Sequence, residues 1–482
     1  MVYPAMYFES IDFKGKDIVV GSLYLLTVDT SYIGWTVING NHEQNRLVKF
    51  VHGETRKASL IGFTITNAFD NIGAATVKIS GLAIYIENSS PTIDHNYIVN
   101  NEFGEWYISG GGIVMMNSGA KISNNRITGN NYAFEGGGIY AEGGTDQIIE
   151  NNIISKNELT SGYGVARGGG IFMRITQRAI IQNNNIEDNI LDFGYGSAIY
   201  MENCDSTLIL NNKFQNNKSL IIAGEVQLIL SSGKLVNSLL YNSMYPNRGL
   251  LKFESSSFKV INSTIVNKSE AAVTLINSNV HFINTILYGV NDSVNGKRIK
   301  LVDSEAIFTN CDIEGDTTGF ELTGNSSYLC KNNISADPYY LGTGKEPFSL
   351  AVNSPCINKG LGDTNVVILP LTDLAGEARI AGQIVDIGAY ENQLVESIKF
   401  DEGIRKMAVY PNPANEWISV ENKYDNLSKK IMVRIYNAEG LFVAENEWDG
   451  FNRINVGNFK PGFYILVADT IYGKVKLKFV KQ

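Results

Sequence analysis

An asparagine recurs along this chain at a fixed distance before an aliphatic or aromatic residue, in NNRI, NNII, NNNI, NNKF, NSLL, NSTI, NTIL and NCDI. Aligning these segments puts His95, Asn124, Asn151, Asn183, Asn211, Asn237, Asn262, Asn284 and Asn310 in one register, with steps of 27, 32, 28, 26, 25, 22 and 26 residues from Asn124 onward. Fixed landmarks at a variable step describe coils of constant core and changing loops, which is a solenoid. Ile98, Ile127, Ile154, Ile186, Phe214, Leu240, Ile265, Leu287 and Ile313 should then stack as an internal apolar ladder. Asparagine tolerates left-handed backbone at a tight turn, and its side chain can bond the asparagine of the next coil, so the register is structural.

A second element alternates with the first: GLAIYIE at 81, GGGIVMM at 110, GGGIYAE at 136, GGGIFMR at 168 and GSAIYME at 196. Side chains alternate across a strand. The uniformly apolar positions Ile84, Ile113, Ile139, Ile171 and Ile199, with Ile86, Met115, Ala141, Met173 and Met201, therefore face inward. Two outward columns remain: Tyr85, Val114, Tyr140, Phe172 and Tyr200, and beside it Glu87, Met116, Glu142, Arg174 and Glu202. An aromatic row flanked by carboxylates and a guanidinium suits a glycan track, since sugar rings stack on aromatic faces while hydroxyls take charged partners. The same column could equally be a stack that stabilises the rod.

The formal net charge of −9 supplies no basic footprint for nucleic acid and disfavours an anionic membrane surface. An acidic polymer would have to find a local positive patch. No run of about 18 apolar residues exists, so no transmembrane helix is expected. Met1-Val2-Tyr3-Pro4 lacks the basic and apolar regions of a signal peptide and reads as a mature or truncated start. Cys204, Cys311, Cys330 and Cys356 form no CxxC pair and no metal-ligand set; Cys330 with Cys356 as a disulfide, or buried free thiols, are both open.

The repeats resemble the parallel β-helix repeats of the pectate-lyase-like superfamily over roughly residues 20 to 330, and their GGGI and NxI spacing also resembles the repeats of polymorphic outer-membrane proteins. The resemblance implies an all-β chain whose residues 1–330 form a right-handed parallel β-helix, with its N-terminal cap expected to be missing. About a dozen coils at a rung spacing of about 4.8 Å would give a rod on the order of 55–60 Å long. From about 330 the register is lost, and NSPCINKG and DIGAYE resemble the closing segment of secreted bacterial β-helix proteins. Residues 331–398 are accordingly expected to cap the exposed edge of the last coil, with Asp386 and Glu391 structural.

After a linker at 399–406, residues 407–482 carry a YPNP start, a central IYNAEG, FKPGFYIL and a terminal KFVKQ. Alternating strands with Asp449-Gly450 and Pro461-Gly462 as turns predict a small antiparallel Ig-like sandwich. The segment closely resembles the C-terminal sorting domain of type IX secretion. That implies the secretion machinery of a Bacteroidota-type bacterium as a partner, and a secreted or outer-membrane-surface location.

Pectate-lyase-like enzymes hold their cleft along the first sheet, beside the loops that enter it. The resemblance therefore directs attention to the outward columns and to the aromatic-bearing loops ahead of them, NNEFGEWYIS, GNNYAFE, KNELTSGYGVAR and DNILDFGYG. Tyr85, Trp106, Tyr140, Phe172 and Tyr200 are the candidate carbohydrate-binding residues, and Glu142, Arg174 and Glu202 the candidate catalytic ones. Of the two chemistries, β-elimination is favoured over hydrolysis, because Glu142 and Glu202 lie two coils apart, about 10 Å. A lyase acting on a uronate amid Glu102, Glu105, Glu135, Glu158, Asp188 and Asp192 would call for a bridging Ca2+. The triplet Arg298-Ile299-Lys300 matches one of polygalacturonases, but the paired-aspartate and Gly-His-Gly motifs that accompany it are missing. The leading expectation is a monomeric surface protein that binds or degrades polysaccharide; a non-catalytic adhesin or structural rod is the alternative.

Overall fold

The computed structural model describes all residues except 44–45, 71–77, 80, 105–107, 161–163, 220–223, 243–248, 268–271, 290–297, 363–368, 394–406, 423–430, 438–441, 449–451 and 471–472. It divides into two units, Met1–Gln393 and Leu394–Gln482.

The first unit is a coil of three parallel sheets, each of twelve strands. The first sheet runs from Ile11–Asp12 to Phe320–Thr323, the second from Val19–Gly21 to Ser327–Lys331, and the third from Ala5–Tyr7 to Asp312–Ile313. One coil visits the sheets in turn, for example Ile84–Glu87, then Thr92–Asp94, then Tyr97–Val99. The strand register is the one expected from sequence: Ile84, Ile113, Ile139, Ile171 and Ile199 are Cα partners in succession. These residues and their second inward column are fully buried, as is the Ile98 to Ile313 ladder.

Left-handed backbone occurs at every member of the aligned register, with φ between +45° at Asn262 and +56° at Asn124, Asn151 and Asn183. The side-chain ladder lies one residue further on. Asn96, Asn125, Asn152, Asn184 and Asn212 are buried, and each after the first accepts the backbone N–H and amide of the one before it; Asn152 Nδ2, for instance, donates to Asn184 Oδ1 at 3.0 Å and to Ile122 O at 2.9 Å. Two adjacent asparagines thus divide the work: the first takes the strained dihedral, the second the buried bonds. A parallel ladder of Asn101, Asn130, Asn157, Asn189 and Asn217 sits where the third sheet gives way to the loops.

The glycine triplets have separate causes as well. Gly136 adopts φ +67°, whereas a Cβ on Gly137 would lie 2.7 Å from Gly169 O and one on Gly138 would lie 2.6 Å from Gly170 O. The first glycine supplies the turn; the next two let coils approach. The long loops that precede these glycines are partly regular, because Phe69–Asp70, Glu102–Phe103, Asn131–Ala133, Glu158–Leu159, Ile190–Leu191 and Lys218–Ser219 form a further six-stranded sheet.

Residues 331–398 were expected to cap the last coil. Ile334 continues the third sheet there, bridging Asp312, and beyond it the described part of the segment runs back along the side, on the corner between the second and third sheets. Gly388 N donates to Asn284 O, Ala389 N to Thr264 Oγ1, and Asn284 Nδ2 to Leu361 O, while Lys213 pairs with Glu346 at 2.6 Å. Where this segment docks, the first-position asparagines Asn237, Asn262 and Asn284 are buried, and Ser238, Ser263 and Thr285 occupy the second position. Arg379 anchors the segment from a buried site, donating to Asn237 Oδ1 at 2.9 Å and to Glu391 Oε2 at 3.0 Å. Asp386 accepts from the backbone of Asn358 and Asn392. Both carboxylates of DIGAYE are thus consumed in holding this turn.

All four cysteines are free thiols, so Cys330 and Cys356 are not bridged. Cys356 Sγ instead lies 3.2 Å from Asp312 Oδ2 beneath the docked segment.

The second unit contains a three-stranded antiparallel sheet of Met407–Tyr410, Trp417–Asn422 and Ile454–Asn455, and a four-stranded one of Phe442–Trp448, Ile431–Asn437, Gly462–Thr470 and Gly473–Lys481. Ile418, Val420, Val433, Ile435, Trp448, Leu466 and Phe479 form its buried core. Asp449-Gly450 lies outside the described residues.

Candidate functional site

The outward face of the first sheet brings the candidate residues into adjacent rungs. Tyr140 pairs with Phe172 and Phe172 with Tyr200, while Glu142 pairs with Arg174 and Arg174 with Glu202. At a rung spacing of about 4.8 Å, the sheet sets the charged row at a fixed repeat.

The aromatic column is closed. Tyr85, Val114, Tyr140, Phe172 and Tyr200 are between 0% and 7% exposed and form a second apolar cluster outside the coil interior, with Val51, Met116, Tyr195 and Ile229 against it. Tyr140 and Phe172 stack at 4.9 Å between centroids, and Phe172 and Tyr200 at 5.6 Å with nearly parallel ring planes. Guanidinium groups cover the margins, with Arg46 at 3.9 Å from the Tyr85 centroid and Arg167 at 5.6 Å from that of Tyr200. The exposed sugar platform expected from the alternation is therefore corrected: these rings point away from the coil, but loops and charged stems already occupy their faces. Trp106 lies outside the described residues, as do Tyr107 and Tyr163.

The charged row remains accessible. Glu142 and Arg174 are joined at 2.8 Å, with side chains 23% and 32% exposed. Tyr140 Oη donates to the same Glu142 oxygen at 2.6 Å. Burial, and then the bond to Glu142, raises the Tyr140 phenol far above its ordinary pKa, and burial pushes Tyr200 up to about 12. For Arg174, burial is the largest influence and works downward, but the Glu142 bond and the nearby Tyr140, Glu142 and Glu135 groups together outweigh it, so the guanidinium holds its proton more firmly than usual. Neither the phenols nor Arg174 is thereby disposed to abstract a proton, and Glu142 Oε2 is taken up by two donors.

The residues do not fit a calcium ion either. Arg174 stands in register between Glu142 and Glu202, where its guanidinium takes the place a bridging cation would need. Among the described residues no three His, Cys, Asp or Glu side chains converge to hold a metal. The Arg298-Ile299-Lys300 triplet resolves into structural pairs: Arg298 bonds Glu314 at 2.8 Å and Lys300 bonds Glu321 at 2.9 Å.

A polar cluster that includes Glu135, one of the loop carboxylates expected around the site, lies beside this row. Arg167 pairs with the buried Glu135 at 2.8 Å, and Ser109 bonds the other Glu135 oxygen. The Arg of VARGGG and the Glu of FEGGG precede their glycine runs by one residue, a shared offset that could have marked them.

Comparison with known proteins separates the two units. The model of the right handed beta helix region family matches residues 50–189 and 133–265, and that of the secretion system C-terminal sorting domain matches residues 408–482. No curated protein matches the chain. Among solved structures, one from Parabacteroides merdae ATCC 43184, described as a "putative glycosyl hydrolase", is 11% identical, with 45% of this chain and 81% of that chain covered, at a TM-score of 0.18. A likeness at that score carries no argument. No helix among the described residues is long and apolar enough to cross a membrane. The chain is thus a right-handed β-helix repeat protein whose type IX secretion sorting domain directs it to the cell exterior or the outer-membrane surface.

Proposed function

We propose that the protein binds polysaccharide at the cell exterior, along the charged row of the first sheet, without cleaving it. The observation that supports this most is the succession Glu142, Arg174, Glu202 on consecutive rungs, partly exposed and held by strands. A fixed repeat of hydrogen-bonding groups suits a polymer with a fixed repeat of hydroxyls, and strands hold it more rigidly than loops would. Binding is favoured over catalysis because Arg174 and the buried phenols hold their protons, and because Glu142 is engaged by Tyr140 and Arg174.

A second reading, an adhesin or structural rod that takes no glycan, draws on the burial of the aromatic column. Retention on a broad panel of immobilised polysaccharides separates the two. The binding reading expects retention by at least one polymer and its loss in the E142Q/R174Q/E202Q variant; no retention on any polymer overturns it. Incubation with pectic, alginate and glycosaminoglycan polymers, with and without calcium, should release neither unsaturated nor reducing ends. Release of either would show the protein to be an enzyme.

A further inference from the structure

The second sheet carries a feature that the first-sheet reading does not use. Lys234, Lys259 and His281 are Cα partners on consecutive rungs and share its outward face. Lys331 ends the neighbouring outward column, beside Thr309, whose hydroxyl lies 3.0 Å from His281 Nε2. Four lysines elsewhere on the coil are paired with carboxylates: Lys121 with Glu150, Lys213 with Glu346, Lys252 with Glu254 and Lys300 with Glu321. Lys234, Lys259 and Lys331 make no such pair among the described residues. In a chain of net charge −9, this is a local surplus of cations.

The surroundings of His281 agree. Burial lowers its pKa, and the charges that add to the shift are those of Lys259 and Lys331. The column is also recessed. A cavity of about 340 Å³ is lined by Lys234, Lys259 and His281 with Ser257 and Asn279. Those last two residues also line a larger cavity of about 730 Å³ along the corner with the first sheet, where Ser232, Ser255 and Asn277 offer hydroxyl and amide groups. The two cavities are thus neighbours across Ser257 and Asn279, with the lysines in the smaller one. The larger cavity is itself lined by three carboxylates: Asp205, which accepts from Ser232; Asp303, which accepts from Asn325 N at 2.9 Å; and Glu305, the Cα partner of Asn279.

We propose that the smaller, lysine-lined cavity binds a linear acidic polysaccharide lying along the rod, its acidic groups against Lys234 and Lys259 and its hydroxyls against His281, Ser257 and Asn279. Cations spaced one rung apart, about 4.8 Å, meet a polymer carrying one anionic group per sugar at close to its own repeat. Unpaired lysines in a recess gain from such a partner because no internal carboxylate has to be displaced. The site lies on a different sheet from Glu142, Arg174 and Glu202, and it stands or falls independently of that row.

The test uses the full chain and fluorescently labelled oligomers of polygalacturonate and of heparin, with dextran oligomers as the neutral control. Wild-type protein should bind at least one acidic oligomer and not dextran, with affinity falling as salt is raised. The K234E/K259E variant should bind that oligomer about tenfold or more weakly, because two attractive contacts become repulsive. Both side chains are outward, so circular dichroism should show the fold unchanged, and K234Q/K259Q should give an intermediate loss. E187Q, on the third sheet and outside both faces, should bind the acidic oligomer as the wild type does. Failure of the wild type to bind any acidic oligomer, or equal binding by K234E/K259E, would overturn the inference. Loss in E142Q/R174Q/E202Q alone would move the polymer to the first sheet, refuting this site while leaving the first-sheet reading intact.

Discussion

Replacing Asn152 by alanine, beside the same replacement at Asn151, separates the two roles that neighbouring asparagines play in every coil. Asn152 is buried and makes four side-chain bonds: Nδ2 donates to Ile122 O and Asn184 Oδ1, and Oδ1 accepts the N–H and the amide of Asn125. Asn125 Nδ2 keeps its bond to Ile93 O, and Asn184 Oδ1 keeps the Asn152 N–H, so the group stranded is chiefly the Asn125 N–H. At about 1 kcal/mol for each lost bond, with more for a buried group left unpaired, N152A should cost about 3–5 kcal/mol. Asn151 is exposed and sits at φ +56°, so N151A loses only the tolerance of that dihedral, about 1 kcal/mol. N151G should be within about 0.5 kcal/mol of wild type. A solenoid transmits such losses mainly to adjacent coils. Native-state hydrogen exchange of the amides in residues 122–128, 149–155 and 181–187 should therefore show faster opening for N152A and near wild-type protection for N151G. Equal costs at the two positions would refute the division of roles.

Other consequences are as specific. F172A should lower stability by about 3–5 kcal/mol, since the ring is fully buried between Tyr140 and Tyr200, and thermal unfolding would check it. G388A should loosen the docked segment, because a Cβ there would lie 2.7 Å from Ile286 Cδ1 at φ +105°; limited proteolysis should then cut within residues 332–393. Burial raises Asp312 to about 6 against an unfolded value near 3.9, so the folded state holds the proton more tightly. Its contribution is full below about pH 4 and lost as pH rises through about 6. D312N should consequently gain denaturation midpoint relative to wild type between about pH 4.5 and about pH 7.5, and a constant difference would count against the assignment.

The coil was legible in the sequence because its constraints are local and repeated. Each turn needs left-handed backbone at one position and each strand an apolar residue two places apart, so nine coils could be aligned by residue type alone. The side-chain ladder was placed one residue too early because NN pairs offer two candidates, and only the geometry shows which amide faces the next coil. Residues 332–393 dock along the corner because buried Asn237, Asn262 and Asn284 bond or pack beneath them; nothing in the register distinguishes these from exposed Asn124 and Asn151 except the serine or threonine that follows. The outward aromatics failed as an exposed platform for a similar reason. Alternation tells which side of a strand a ring leaves from, but not what covers it there, and the cover over Tyr140 and Tyr200 comes from distant Arg174 and Arg167. The unpaired lysines of the second sheet were invisible because pairing is set by the neighbouring rung.

The most direct measurement of the first-sheet account is carboxyl footprinting of the intact protein with and without a polysaccharide that it retains. Glu142 and Glu202 should lose reactivity on binding while Glu187, on the third sheet, keeps its own. Unchanged reactivity at Glu142 and Glu202 in the presence of a bound polymer would contradict the placement of the glycan along the first sheet.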